Sequence, residues 1–413
     1  MKKKSKRTST PKLRFPEFRK EPGWEEKPLG DFLTESRLLG SKGNVAKKIT
    51  VKLWGNGVFE KNEAVQGSIH TQYFRRKAGQ FVYSKLDFLN QAFGIIPPAL
   101  DNYESTVDLP CFDIADRLNS VFLLEYVKRK DFYERLGETA DGSRKAKRIH
   151  AETFLSFPIA LPSLPEQHKI AECLSSLDGL ITAEGRTLEA LKTHKRGLMQ
   201  QLFPQPGQTQ TRLRFPEFEG AGEWETLPLG RVAEVASGQV DPTESPYCDL
   251  PHVGGENIES HTGTIRDVKT AKELDLVSGK YAFDENDVLY SKIRPALNKV
   301  AAPDFKGICS ADIYPIRPSN RELRREYLVY LLLSEGFLEH AIKHSDRSKI
   351  PKVNRDTLLS YSISLPTPVE QQRIADCLTA LDDRIAAQAA KIESLKTHKR
   401  GLMQQLFPAP EVS

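Results

Sequence analysis

Between residues 165 and 203 the apolar positions alternate in steps of four and three. The series runs Ile170, Leu174, Leu177, Ile181, Glu184, Leu188, Leu191, Lys195, Leu198, Leu202, with eight apolar members of ten. It recurs as Ile374, Leu378, Leu381, Ile385, Gln388, Ile392, Leu395, Lys399, Leu402, Leu406, with the polar exceptions at the same two places. Such a heptad pattern predicts a long amphipathic helix in each stretch. Pro165 suits a first turn, where its missing N–H is not needed. Glu166 and Glu370 suit the positive end of a helix, and Lys195-Arg196 and Lys399-Arg400 the negative end. Pro204 and Pro408 stop both helices. A stripe this long must be buried, and two like stripes in one chain predict pairing with each other. Antiparallel pairing is expected, because each helix follows its own domain. About 38 residues at 1.5 Å each make a spacer of roughly 57 Å. Parallel homodimerisation is the alternative.

The helices belong to a larger repeat, the first thing to look for in a chain of this length. LRFPEF at 13–18 recurs at 213–218, followed in both copies by a Trp (24, 224) and Pro-Leu-Gly (28–30, 228–230). EQHKIAECLSSLD (166–178) matches EQQRIADCLTALD (370–382), and LKTHKRGLMQQLFP is identical at 191–204 and 395–408. Between these frames the middles differ, with Tyr83-Ser84-Lys85 against Tyr290-Ser291-Lys292 as a surviving landmark. Gly79–Leu86 and Asp287–Ile293 are β-branched and aromatic, bounded by turn residues, and predict strands. Val121–Leu136 and Glu326–His344 predict one helix each. Strands and helices do not alternate regularly, so the class is α+β. The boundaries read as a basic tail (1–12), a first variable domain (13–160), a long helix with its linker (161–208), a second variable domain (209–364), a second long helix (365–408) and a short tail (409–413). Two like frames around two unlike middles predict two readers on one scaffold.

Charge sharpens this. The 413 residues carry 60 Lys and Arg against 55 Asp and Glu. Nine of those cations and one Glu lie in the first 20 residues, leaving 51 basic against 54 acidic in the body. A nucleic-acid partner would therefore need local basic patches rather than a basic whole. The loop at 142–151 supplies Arg144, Lys145, Lys147 and Arg148, and the equivalent stretch at 344–354 supplies Arg347, Lys349 and Lys352, as phosphate contact requires. Two further patches mix cations with aromatic or amide groups: Gln72, Tyr73, Arg75, Arg76 and Lys77, and Lys292, Arg294, Asn298 and Lys299. Arg can read guanine edges, and Asn or Gln adenine, so Arg294, Asn298 and Gln72 are candidate base readers. Tyr83 and Tyr290 are expected in the core.

Five separated cysteines without a CxxC argue against a disulfide framework or a cysteine zinc site, and for a reducing cytoplasm. No apolar run approaches the ~20 residues of a membrane span. There is no phosphate-binding GxxxxGK[ST] and no GxGxxG. No nucleophile–base set and no metal-ligating group stands out, so the chain is expected to be non-catalytic, with neither catalytic nor metal residues.

These features together resemble the DNA-specificity subunit of type I restriction–modification systems. The resemblance rests on Pro-Leu-Gly near the start of each half, the Tyr-Ser-Lys strand in each middle, Leu161-Pro162 and Leu365-Pro366 before each helix, and the Glu-Gln start of each helix. It covers nearly all of 13–408. It implies two target-recognition domains that read the halves of a split, asymmetric double-stranded DNA target. It implies helices that set the gap and dock two adenine methyltransferase subunits, and motor–nuclease restriction subunits as further partners. S-adenosylmethionine would belong to the methyltransferase, ATP and Mg to the restriction subunit, and no cofactor to this chain. A stand-alone two-headed DNA-binding regulator is the other reading.

Overall fold

A computed structural model describes residues 8–62, 67–138, 148–205, 208–346 and 348–409. The chain forms two compact units. One holds residues up to Gly185 together with those from Lys391 onward, and the other runs from Arg186 to Ala390. The division falls inside both long helices.

In the first unit, strand Trp24–Pro28 pairs antiparallel with Pro158–Leu161. An antiparallel four-stranded sheet has the order Leu33–Ser36, Cys111–Ile114, Phe81–Tyr83, Phe93–Ile95. A three-stranded sheet joins Glu104–Ser105, Gln72–Arg75 and Leu39–Lys42, and Ile49–Val51 forms a hairpin with Val58–Glu60. Three short helices follow: α1 (Ser120–Val127), α2 (Lys130–Gly137) and α3 (Ala151–Leu155). Phe81 stacks on Phe154 at 5.5 Å, and Tyr83 on Phe112 at 6.0 Å, so the landmark Tyr83 is core as expected.

The second unit repeats this plan. Glu225–Pro228 pairs with Ser362–Leu365. One sheet has the order Ala233–Val235, Ile313–Pro318, Val288–Ser291, Val300–Ala301. Another has the order Lys269–Thr270, Pro251–Val253, Gly307–Cys309, Tyr281–Phe283, with one parallel pairing in its centre. Helices α5 (Arg325–Leu333), α6 (Glu335–Lys343) and α7 (Arg355–Leu359) correspond to α1, α2 and α3. The single helices expected over 121–136 and 326–344 are each broken in two. Ser334 takes an extended backbone and accepts the Phe337 N–H through its hydroxyl, which caps α6. Arg129 is likewise extended, and its guanidinium is held by the Asp131 carboxylate. An amphipathic pattern does not register a one-residue change of direction when both flanks stay apolar.

The long helices are α4 (Leu164–Leu202) and α8 (Pro368–Leu406), of 39 residues each. Every position of the two heptad series is buried or half-buried. Each unit contains the start of one long helix and the end of the other. In the first, Lys399 meets Asp178 at 2.7 Å and Lys391 meets Glu184 at 2.6 Å. In the second, Lys195 meets Asp382 at 2.6 Å. In the first unit rising numbers on α4 match falling numbers on α8, so the two segments there run antiparallel. The lysines that interrupt the apolar series are thus the residues that ion-pair across the seam, a polar placement that fixes register.

The repeated Leu-Phe at the helix ends also has a reason. Phe407 packs on Trp24, Phe122 and Tyr126 in the first unit, and Phe203 stacks on Tyr327 at 5.3 Å in the second. Each socket is filled by the helix end that follows the other variable domain. Gly30 and Gly230 of the Pro-Leu-Gly repeat lie under α3 and α7, where a Cβ would stand 3.3 Å from the Leu155 and Leu359 carbonyl oxygens.

Candidate nucleic-acid interface

In the second unit the backbone joins two separately predicted patches. Where strand Val288–Ser291 ends, Ile293 bridges Lys352. The Arg294 N–H donates to the Pro351 carbonyl at 2.8 Å, and the Val353 N–H to the Lys292 carbonyl at 2.9 Å. The turn at 346–352 is closed by Asp346, whose carboxylate accepts from the Ser348 hydroxyl at 2.6 Å and the Lys352 N–H at 3.1 Å. The Ser348 hydroxyl chiefly holds that carboxyl below its usual range. Arg294 sits at φ 48°, in the left-handed region, and is exposed. Lys349 and Lys352 are exposed beside it. Arg294, Lys349 and Lys352 therefore form one basic edge. Arg347 lies outside the described residues.

The first unit places the same parts together. The Ile149 N–H donates to the Lys85 carbonyl at 3.1 Å, and the Tyr83 hydroxyl to the Ile149 carbonyl at 3.0 Å. The basic loop thus ends against the exit of the Tyr-Ser-Lys strand. Arg148 is exposed there, 3.9 Å from Asp108. Arg144, Lys145 and Lys147 lie outside the described residues. Arg75 is exposed on its strand, and the half-buried Tyr73 has the Lys48 ammonium 5.4 Å from its ring centre. Gln72 spends its amide N–H groups on the Gly40 and Tyr73 carbonyls, and Lys77 donates to Asn102 at 2.8 Å.

Two expected DNA contacts are corrected. Arg76 is 2% exposed. Its guanidinium donates to the Ser105 hydroxyl at 2.8 Å and the Ser36 carbonyl at 2.6 Å. Burial pulls its pKa below the ordinary value, and its work is to tie three strands together. Asn298 is 3% exposed and donates to the Leu333 carbonyl at 3.1 Å, so it cannot reach a base edge. Lys292 and Lys299 are half-buried, with their ammonium groups on the Ala311 and Gly255 carbonyls.

The frame that carries these edges uses contacts that the sequence reading did not assign. Arg14 donates to both carboxylate oxygens of Glu166, at 2.8 and 2.6 Å, and Arg214 to both of Glu370, at 2.7 and 2.8 Å. Gln167 accepts from the Asn119 N–H and Gln371 from the Arg324 N–H, anchoring α1 and α5 to the start of each long helix. The Leu13 N–H donates to the Gln405 carbonyl, and the Leu213 N–H to the Gln201 carbonyl. The repeated LRFPEF and Glu-Gln motifs were the available signal.

Among the described residues no group of three His, Cys, Asp or Glu side chains is placed to hold a metal ion. Among the described residues no helix is long and apolar enough to cross a membrane.

Comparison with known proteins follows the same two halves. The family described as type I restriction modification DNA specificity domain matches residues 21–193 and again 221–397. The type I restriction enzyme EcoDI specificity subunit of Escherichia coli is 29% identical over 239 residues, covering 52% of this chain and 53% of that protein. The MjaVIII specificity subunit of Methanocaldococcus jannaschii is 26% identical over 276 residues, covering 63% of each. The chain thus spans about half of the first and under two thirds of the second. Among solved structures, a chain from work on complex assembly and conformational transition of the type I R-M system superposes with a TM-score of 0.58. Its identity is 17%, with 94% of this chain and 98% of that one covered. The S subunit of a type I restriction-modification system from M. genitalium gives 0.57 at 14% identity, with 97% and 100% covered. Both establish the fold.

Proposed function

Because the chain belongs to the family of type I restriction–modification DNA specificity domains, we propose that it supplies sequence choice to a modification and restriction complex. Each unit reads one half of a split double-stranded target. The observation that carries this reading is that in both units, on middles that differ in sequence, the exit of the Tyr-Ser-Lys strand meets the segment of the expected basic loop, with a basic edge of Arg294, Lys349 and Lys352 in one unit and, among the described residues, the exposed Arg148 in the other. Exposed Arg294, Lys349 and Lys352 in one unit, and Arg148 in the other, suit phosphate contact. Arg294 also has the planar fork that reads guanine. Unlike middles favour unlike half-sites and an asymmetric target.

In this reading the chain catalyses nothing. Adenine methylation, with S-adenosylmethionine, belongs to two methyltransferase subunits. ATP- and Mg-dependent cleavage belongs to restriction subunits, and the complex works in the cytoplasm. The near-identical helices favour a partner that binds twice in the same way.

Salt dependence of DNA binding tests the basic edge. Replacing Arg294 and Lys352 with Ala in the full chain, in complex with the methyltransferase, should weaken binding and lower the slope of log K against log salt by about 1 per lost phosphate contact. An unchanged slope would count against the edge.

A further inference from the structure

Each unit holds a hairpin tip against the residue that follows the Tyr-Ser-Lys turn, and the two tips carry different side chains. In the first unit a 3-10 turn, Phe88–Asn90, ends at Gln91 in the left-handed region, φ 53°. The Gly55 N–H donates to the Gln91 carbonyl at 2.8 Å, and the Trp54 N–H to the Asn90 carbonyl at 2.7 Å. Trp54 is the tip of the hairpin Ile49–Val51/Val58–Glu60. In the second unit the turn Pro295–Leu297 ends at Asn298, also left-handed at φ 43°. The His261 N–H donates to the Asn298 carbonyl at 3.0 Å, from a hairpin closed by the Ile258–Ile265 bridge. The bonds to the Gln91 and Asn298 carbonyls are equivalent, with Gly55 and His261 as donors and a left-handed glycine, Gly57 or Gly263, two residues later; Trp54, just before Gly55, adds the bond to Asn90, and the exposed side chains of the two tips differ.

Both tips are strained and exposed. Trp54 has φ 60° and His261 φ 65°, a region costly for a side-chain-bearing residue. Trp54 is 61% exposed despite its large ring. Leu53 and Phe59, with 39% and 50% exposure, and exposed Lys52 flank it. On the other tip Glu259 is taken up by Arg266 at 3.0 Å, and His261 stays exposed. Each tip is fixed to the segment whose other end carries the basic edge. Lys85 and Arg148 lie there in one unit, Arg294 and Lys352 in the other.

We propose that Trp54 and His261 are specificity-determining residues, the paired points at which each unit touches the bases or sugars of its DNA half-site. Trp54 acts by stacking and apolar contact, as against a thymine methyl, and His261 by hydrogen bonding. The choice of DNA over a protein partner rests on the internal comparison. Surfaces that serve both halves alike are nearly identical in the two copies, as the long helices are, whereas the tips differ as two half-sites would. This inference rests on the function proposed above and adds residues to it.

The test is the methylated motif produced by the full chain with its methyltransferase partner in a methylation-free host. Trp54→Ala should relax or change bases in one half-site and cut methylation of the original motif at least tenfold, leaving the other half-site intact. Trp54→Phe should restore much of it. His261→Ala should act on the other half-site alone. The melting temperature of Trp54→Ala should hold or rise, since an exposed side chain is lost. Unchanged motif and rate in both Ala variants would overturn the proposal. So would loss of methylation together with loss of methyltransferase co-purification, which would make the tips protein contacts. If the unaltered chain directs no split motif, the functional reading itself fails, and this inference with it.

Discussion

Glu166 is 1% exposed and Arg14 8%. The side-chain hydrogen bond to Glu166 chiefly raises the guanidinium's pKa. Removing one partner strands a buried charge, so Glu166→Ala should cost about 3–5 kcal/mol, read by chemical or thermal unfolding. Arg14→Met should cost at least as much, because the carboxylate it strands, Glu166, is the more deeply buried of the two. Arg76→Ala makes a related case, leaving the Ser36 carbonyl without its donor at about 1–3 kcal/mol. A matching loss from replacing exposed Arg75 would contradict this division between structural and surface arginines. At this scale the sequence was informative about which residue types could meet DNA and silent about which were exposed. Arg75 and Arg76 are neighbours with opposite fates because successive strand residues face opposite sides. Asn298 is buried by a helix end, the Leu333 carbonyl, 35 positions away. Arg294 and Lys352 meet through backbone pairing between segments 58 residues apart, which no local pattern contains.

At the scale of elements, docking of the α8 end in the first unit depends on Phe407 and on the Glu125–Lys399 contact, 2.9 Å. Phe407→Ala should destabilise by about 3–5 kcal/mol, and Phe203→Ala should do the same in the second unit. Burial alone would raise the Glu125 carboxyl, but Lys128 and Lys399 more than offset it and the group is held below its usual range. Burial would lower Lys399, but Glu125 and Asp178 outweigh it and the ammonium is held above its usual range. A lowered carboxyl contributes stability at pH above its unfolded value, about 4.3, and loses it as pH falls through the folded value. A raised ammonium contributes below about 10.4 and loses its contribution as pH rises through the folded value. Melting curves should therefore fall off more steeply at both extremes in the unaltered chain than in Glu125→Gln/Lys399→Met. Parallel curves would contradict the pair's contribution. The long helices were legible because a heptad repeated over 39 residues has one physical solution, and prolines mark its limits. The hairpins that carry Trp54 and His261 were not legible. Their pairing segments are at most three residues long, shorter than the window in which alternation becomes a signal.

The whole molecule carries two similar units, each with the start of one long helix and the end of the other. The expectation that helix length sets the gap in the target gives a prediction. Adding one heptad to both long helices, near 186 and 388, lengthens each by about 10.5 Å and keeps the apolar series in phase. The methylated target should keep both half-sites and change only its gap. Altered half-sites with an unchanged gap would refute the spacer role. The two-unit plan was legible from the internal repeat alone, whose frames are nearly identical and whose middles are not. Loop geometry and long-range contacts, such as the pairing of Ile293 with Lys352, are not encoded in a repeat.

The most direct measurement is the methylome of a methylation-free host carrying the neighbouring methyltransferase, with and without this chain, mapped by single-molecule sequencing for N6-methyladenine. The account predicts one split, asymmetric motif that is present with the chain and absent without it. A motif that persists when the chain is omitted, or no new motif from a soluble complex, would contradict the claim that this chain chooses the sequence.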